Sequence, residues 1–287
     1  MSTVPDDPIA DLLGVLALES SEARTTEDIF TGRSQPMPYG RVFGGQVLAQ
    51  AVVAAGRTLP SERLPHSMHG YFLRPGDASR SITFSVDRIH DGRSFSTRRT
   101  QAFQDGVPIF SMIASFQDES PGLEHHVAMP SGVPDPEDLP DPDGSHPFSD
   151  RIFREQPLDV RHVNGALYAD AVELSTTQSV WMRTRGELPD ERSVHRAALA
   201  YMSDLTIQET ILRAHGVAWT TPGLKVASLD HAMWWHRDGR ADEWVLYVQE
   251  APSARGGRGL ATGRIYSRGG ELLVSVAQEV MVRVPQS

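Results

Sequence analysis

The chain contains no cysteine. Disulfides, cysteine nucleophiles and thiolate metal sites are therefore excluded, and the absence fits a reducing compartment. No apolar run approaches the ~20 residues that a membrane-crossing helix needs, and the mean hydropathy of −0.32 is that of a soluble globular chain. Positive charge is in short supply: 27 Lys and Arg stand against 37 Asp and Glu, for a formal net charge of −10. Phosphate backbones are bound mainly by basic surface, so nucleic acid is not an expected partner, whereas a small anionic ligand needs only a local basic patch. The N-terminus from Met1 to Asp7 lacks the basic and apolar regions of a signal peptide, so a cytoplasmic location is expected. There is no Gly-x-Ser-x-Gly elbow, which counts against an α/β-hydrolase. The histidine pairs His66/His69, His125/His126 and His231/His236 form no convincing metal constellation, and no metal or cofactor is expected.

What the 287 residues do contain is an approximate internal repeat. Ile29-Phe-Thr-Gly32 followed by the run from Gln46 to Ala51 overlays Val180-Trp-Met-Arg183 followed by Ala197 to Met202, an offset of 151. Tyr71-Phe-Leu-Arg74 overlays Trp234-Trp-His-Arg237 at an offset of 163, and the hairpin Asp105-Gly106 with its following strand overlays Gly269-Gly270 at 164. Each match is short, but the order and near-constant offset are shared. The expected organisation is one unit over 12–117, a second over 151–287, and between them a stretch, 118–150, in which seven prolines fall between Pro121 and Pro147. Proline removes backbone donors and favours extended neighbours, so this stretch reads as a linker.

Each half runs strand, helix, then several strands. In the first, Gly44-Gly45 opens a helical run of small apolar residues ending near Gly56, and strands follow at 81–89, 94–104 and 108–117. In the second, Asp190 or Ser193 is placed to cap a helix running through Tyr201, and strands are expected at 225–236, 244–250, 259–268 and 272–284. The fold class is α+β: a buried helix wrapped by a long antiparallel sheet, made twice, a double hotdog.

Three polar residues interrupt apolar segments of the second half only. Asp204 falls on the small, apolar face of its helix, where a carboxylate requires hydrogen bonds. Ser228 lies near the start of an otherwise apolar strand, and Gln278 interrupts another, where a buried amide needs partners on both sides. At the matching places the first half has Val53, Pro65 and Ala114. Taken singly, each polar residue also fits an ordinary role: a helix-end Asp, a strand Ser, an outward-facing Gln. Together, a carboxylate, a hydroxyl and an amide form a set that activates water, the carboxylate taking the proton and the neutral groups orienting the oxygen.

Five stretches carry a resemblance: Arg41 to Gln50, Tyr71 to Asp77, Asp91 to Arg99, Tyr201-Met-Ser-Asp204 and Leu229 to Arg237. From about Leu12 to Arg283 the chain resembles the bacterial acyl-CoA thioesterase II family, the TesB-like double-hotdog enzymes. The resemblance implies hydrolysis of fatty acyl-CoA by a family Asp, Thr or Ser, and Gln, which fall on Asp204, Ser228 and Gln278. Some members carry Thr at the position of Ser228, and the methyl missing here leaves the hydroxyl rotamer less restricted. The implied mechanism is direct attack by water on the thioester carbonyl. Gly44-Gly45 is one candidate for oxyanion donors, with simple close packing as the other reading. Arg255-Gly-Gly-Arg-Gly259 reads as a hairpin loop or as a contact for CoA phosphates. The rivals are a double-hotdog enoyl-CoA hydratase, whose Asp–His pair is not evident here, and a non-catalytic acyl-CoA-binding module. Exposed sheet edges and the prevalence of symmetric assemblies lead to an expected homo-oligomer.

Overall fold

Two-residue turns set the strand pairing from which the architecture grows. In a computed structural model of the chain, which describes residues 7–21, 26–37, 40–59, 63–141, 156–168 and 173–284, Asp105 and Gly106 both take positive φ, 49° and 75°. Such a turn matches the twist of the strands it joins, here β5 (Phe95–Gln104) and β6 (Val107–Gln117). Gly256 and Gly257, at φ 64° and 76°, turn β11 (Val245–Arg255) into β12 (Arg258–Ser267) in the same way. The remaining strands are β1 (Glu19–Ser20), β2 (Asp28–Gly32), β3 (Leu64–Phe72), β4 (Ile82–Asp91), β7 (Leu158–His162), β8 (Thr177–Thr184), β9 (Lys225–Ser228), β10 (Asp230–Trp235) and β13 (Leu272–Arg283).

They form one antiparallel sheet in the order β1-β2-β4-β5-β6-β3-β10-β13-β12-β11-β8-β7, with β9 also on β13. Each half of that order mirrors the other, and β3 against β10 is the seam. The repeat extends to the register. Pro65 faces Phe116 across β3 and β6, and advancing them by 163 and 164 residues reaches Ser228 and Val280, which face each other across β9 and β13. Both strands also break at the same place: β3 shifts register between Pro65 and Ser67, and Leu229 separates β9 from β10 where one strand over 225–236 was expected. On β2 the expected alignment is one residue out. Asp28 pairs with Val86 and Gln178 with Gln249, so Phe30 corresponds to Val180 rather than Trp181. Side chains alternate along a strand, and a one-residue slip would have put Arg183 at the inward place of Gly32.

Inside the sheet lie two helices that are buried nearly all round. These are α2 (Gly44–Gly56) and α3 (Arg192–Ser203), preceded by α1 (Pro8–Leu16) and followed by the short α4 (Glu209–Ala214). Helices buried on every face belong to a core, not a surface. Neither expected cap of α3 is used. Glu191 occupies the N-cap position without a side-chain bond, Asp190 pairs with Arg240 at 2.5 Å, and Ser193 lies inside the first turn. The expected linker is more than a tether. Residues 118–135 form no regular element, but Trp181 Nε1 donates to the Pro134 carbonyl at 2.9 Å, and Met129, Val133 and Leu139 pack on an outer cluster of Trp181, Trp244, Leu246, Tyr266 and Leu272. This stretch covers the outer face of the second half. Residues 142–155, which include the end of 118–150 and the start of 151–287, lie outside the described residues.

Candidate active site

Asp204, Ser228 and Gln278 converge. The route is set by local structure: α3 ends at Ser203 and leaves Asp204 as its C-cap, β9 ends at Ser228, and Gln278 points inward from the middle of β13. Ser228 Oγ donates to Asp204 Oδ1 at 3.1 Å. Gln278 Nε2 donates to the same oxygen at 3.0 Å and to Ser228 Oγ at 2.6 Å. The three side chains thus close a triangle in which the amide spends both hydrogens. Asp204 and Gln278 are buried, while Ser228 is partly exposed.

A carboxylate at a helix C-terminus faces the negative end of that helix. Here the start of α2 supplies the compensation, since Asp204 also accepts a backbone hydrogen bond from Gly45. Both glycines of the pair sit in close contact, Gly45 against backbone and Gly44 against the tip of a side chain. A Cβ on Gly44 would lie 2.5 Å from Asp204 Oδ2, and one on Gly45 would meet the Tyr201 carbonyl oxygen at 2.1 Å. The sequence suggested oxyanion donors or close packing at this pair. The structure shows close packing plus an N–H already committed to the carboxylate. Burial pushes the Asp204 carboxyl up to about 6, against the hydrogen bonds from Gln278, Ser228 and Gly45 that favour the charged form. A buried base in that range is half-ionised just below neutrality and able to take a proton.

Two further residues complete the cluster, and the sequence reading did not single them out for this site. His231 on β10 is fully buried, with Nδ1 at 2.7 Å from Gln278 Oε1 and Nε2 at 2.9 Å from Ser203 Oγ. The signal was available in alternation: His231, Met233 and Trp235 share the inward face of β10. Tyr247 on β11 donates its hydroxyl to the Ser203 carbonyl at 3.0 Å and so ties down the last turn of α3. Both nitrogens of His231 are engaged away from Ser228 and from Asp204. The serine paired with this ring is Ser203, which is fully buried, and neither Ser228 nor Asp204 has an imidazole partner among the described residues.

The mirror position is apolar. The register that places Ser228 on Pro65 places His231 on Met68 and Gln278 on Ala114, both buried, and the Pro65 carbonyl accepts from Arg196 Nη1 at 2.5 Å. Arg258 pairs with Glu279 at 2.9 Å beside the Gly256-Gly257 turn. His66 bonds Ser115 and His236 bonds Ser275. Among the described residues no group of three or more His, Asp and Glu is arranged to hold a metal ion.

Residues 151–281 match the family profile described as acyl-CoA thioesterase, and residues 33–117 match that of the acyl-CoA thioesterase N-terminal domain. The chain is 36% identical to acyl-CoA thioesterase 2 of Haemophilus influenzae, over 96% of this chain and 98% of that protein. It is 36% identical to human acyl-coenzyme A thioesterase 8, over 97% of this chain and 92% of the relative. Among solved structures, acyl-CoA thioesterase II TesB2 from Mycobacterium marinum superposes with a TM-score of 0.80 at 44% identity, covering 96% of this chain and 99% of that one.

Proposed function

From membership of the acyl-CoA thioesterase family, to which this chain belongs, we propose that the Asp204 cluster hydrolyses fatty acyl-CoA to a free fatty acid and CoA by direct attack of water. The observation that carries the mechanism is the closed triangle: one ionisable base, held by a hydroxyl and an amide, with no imidazole placed to activate Ser228. Asp204 accepts the proton of the attacking water. Ser228, whose oxygen still has a free acceptor site after the Gln278 bond, orients that water from the partly exposed side of the cluster. The amide of Gln278 keeps the carboxylate and the hydroxyl in register. General-base assistance of this kind contributes about 10²- to 10⁴-fold, and positioning of the thioester supplies the rest.

The same geometry speaks against the hydratase rival, because the buried histidine bonds Gln278 and Ser203 rather than pairing with Asp204. Two units, 12–117 and 151–287 joined by 118–150, divide the work. The second brings the three polar side chains, and the first brings the start of α2 that receives Asp204. The net charge of −10 and the absence of cysteine support a cytoplasmic enzyme without a nucleic-acid partner. Tyr71 and Ile113, exposed on the outer face of β3 and β6, support a homo-oligomer. No helix among the described residues is long and apolar enough to cross a membrane. The test is thiol release from a saturated and an enoyl-CoA of equal length: a thioesterase frees thiol from both, a hydratase consumes only the double bond, and a binding module does neither.

A further inference from the structure

We infer that His231 is a positioning residue: in its neutral Nδ1–H form it fixes the orientation of the Gln278 amide, and thereby holds Asp204 as an ionised base. The inference rests on the proposed role of Asp204 and starts from donor counting. An ionised carboxylate only accepts. For Gln278 to bond Asp204 Oδ1 at 3.0 Å it must present its nitrogen, which leaves Oε1 facing His231 Nδ1 at 2.7 Å. That nitrogen must carry a hydrogen. Burial drives the His231 ring down to about 4, so at neutral pH it has one N–H, and Nε2 is an acceptor. Ser203 Oγ, 2.9 Å away, then donates to it. The chain of donation runs Ser203 to His231 to Gln278 to Asp204.

The alternative arrangement is self-consistent only with a different Asp204. Ser203 Oγ also lies 2.8 Å from the Ala200 carbonyl, and its single hydrogen serves one acceptor or the other. If it turns to Ala200, His231 carries its hydrogen on Nε2, and its bare Nδ1 then faces a bare carbonyl oxygen. Turning the amide over relieves that contact, but sets Gln278 Oε1 against Asp204 Oδ1, which demands a proton on the carboxyl. The tautomer of His231 and the charge of Asp204 are coupled through one amide. The titratable groups facing this cluster are Asp204 from the end of α3 and Tyr247 from β11, whose phenol burial and the Asp204 charge hold well above its usual range. Neither delivers a competing hydrogen to the ring.

Three measurements test this. Nitrogen NMR of the wild-type protein labelled in its histidine rings should show His231 neutral with its hydrogen on Nδ1 at pH 7–8; a hydrogen on Nε2, or on both nitrogens, overturns the inference without reference to activity. Kinetics supply the second. In His231→Asn the amide nitrogen takes the place of Nδ1, and kcat should stay within about threefold of wild type, with the acid limb of kcat/KM unmoved. In His231→Leu the donor is gone, and kcat should fall about tenfold or more with little change in KM, while the acid limb moves to higher pH because Asp204 loses a hydrogen-bonding partner. A folded Leu variant with wild-type kcat, or Asn and Leu variants equally slow with an unmoved limb, contradicts it. Should the Leu variant fail to fold, His231→Gln, whose nitrogen takes the place of Nε2 instead, is expected to behave as the Leu variant is. If Asp204→Asn proves active, the proposed function fails; if it is inactive while His231→Leu is indistinguishable from wild type, only the role of His231 fails.

Discussion

At the scale of single residues, the chemistry turns on a carboxylate kept where it is costly to ionise. With the Asp204 carboxyl raised from 3.8 to about 6, the native state binds that proton more tightly than the unfolded chain does. Its contribution to stability is therefore present below about 4 and is lost as pH rises through about 6. Two consequences are opposite in sign. Activity needs the ionised form, so kcat/KM should rise with pH and reach half its plateau near 6. Stability suffers from the same ionisation, so Asp204→Asn should unfold later than wild type at pH 8, by about 1–3 kcal/mol, with the difference vanishing below about pH 4. Denaturant titrations of the two proteins at both pH values measure it. For Ser228 the water mechanism predicts a graded loss: Ser228→Thr keeps the hydroxyl and stays within a few-fold of wild type, whereas Ser228→Ala falls about 10- to 100-fold but retains steady hydrolysis. Complete inactivity of the Ala variant, with acyl-enzyme trapped on wild type, would point to a serine nucleophile instead. The trio was legible in the sequence because each member is a polar intrusion in an apolar context, and the half lacking it offered a comparison. For His231 alternation gave the inward face but not its partners, and for Gly44-Gly45 close packing was one of two readings, while the bond from Gly45 to Asp204 shows only once α2 is brought against α3.

The elements matter through how closely α2 and α3 approach. A Cβ on Gly45 would meet backbone at Tyr201, which cannot swing aside, while one on Gly44 would meet the tip of the Asp204 side chain, which can. The two alanine variants should therefore differ. Gly45→Ala should lower stability by about 1–3 kcal/mol or more through forced separation of the helices. Gly44→Ala should leave the fold largely intact while displacing the carboxylate, and so lose activity out of proportion to stability. Comparing melting and turnover for the pair checks this. At this scale periodicity found β4 to β6 and β9 to β13 to within a few residues, with β9 and β10 read as one, because alternation and two-residue turns are local signals; the short β1 and β7 were not expected. Caps were missed: α3 starts without a side-chain cap, and Asp190 is drawn instead into an ion pair with Arg240, which lies 50 residues away in sequence. The proline-rich stretch was read as a tether for a similar reason, its docking on Trp181 and Trp244 being a long-range contact.

For the whole molecule the repeat is the organising fact, and the sheet shows it to be a repeat of register as well as of order. The halves share β3 against β10 and bury α2 against α3. They should therefore melt as one. Calorimetry of the full chain is predicted to show a single transition; two transitions would mean that the seam is weaker than either half. Asp204, Ser228 and Gln278 all belong to the second half, yet Asp204 accepts a hydrogen bond from Gly45 on the first half's helix, so both halves build the candidate site. In the proposed mechanism Asp204 is the base that activates water. Thiol release from a medium-chain acyl-CoA by purified Asp204→Asn, whose folding is verified by its melting curve, tests it most directly. Turnover reduced to background in a protein at least as stable as wild type is the predicted result, and near wild-type hydrolysis by that variant would contradict the account.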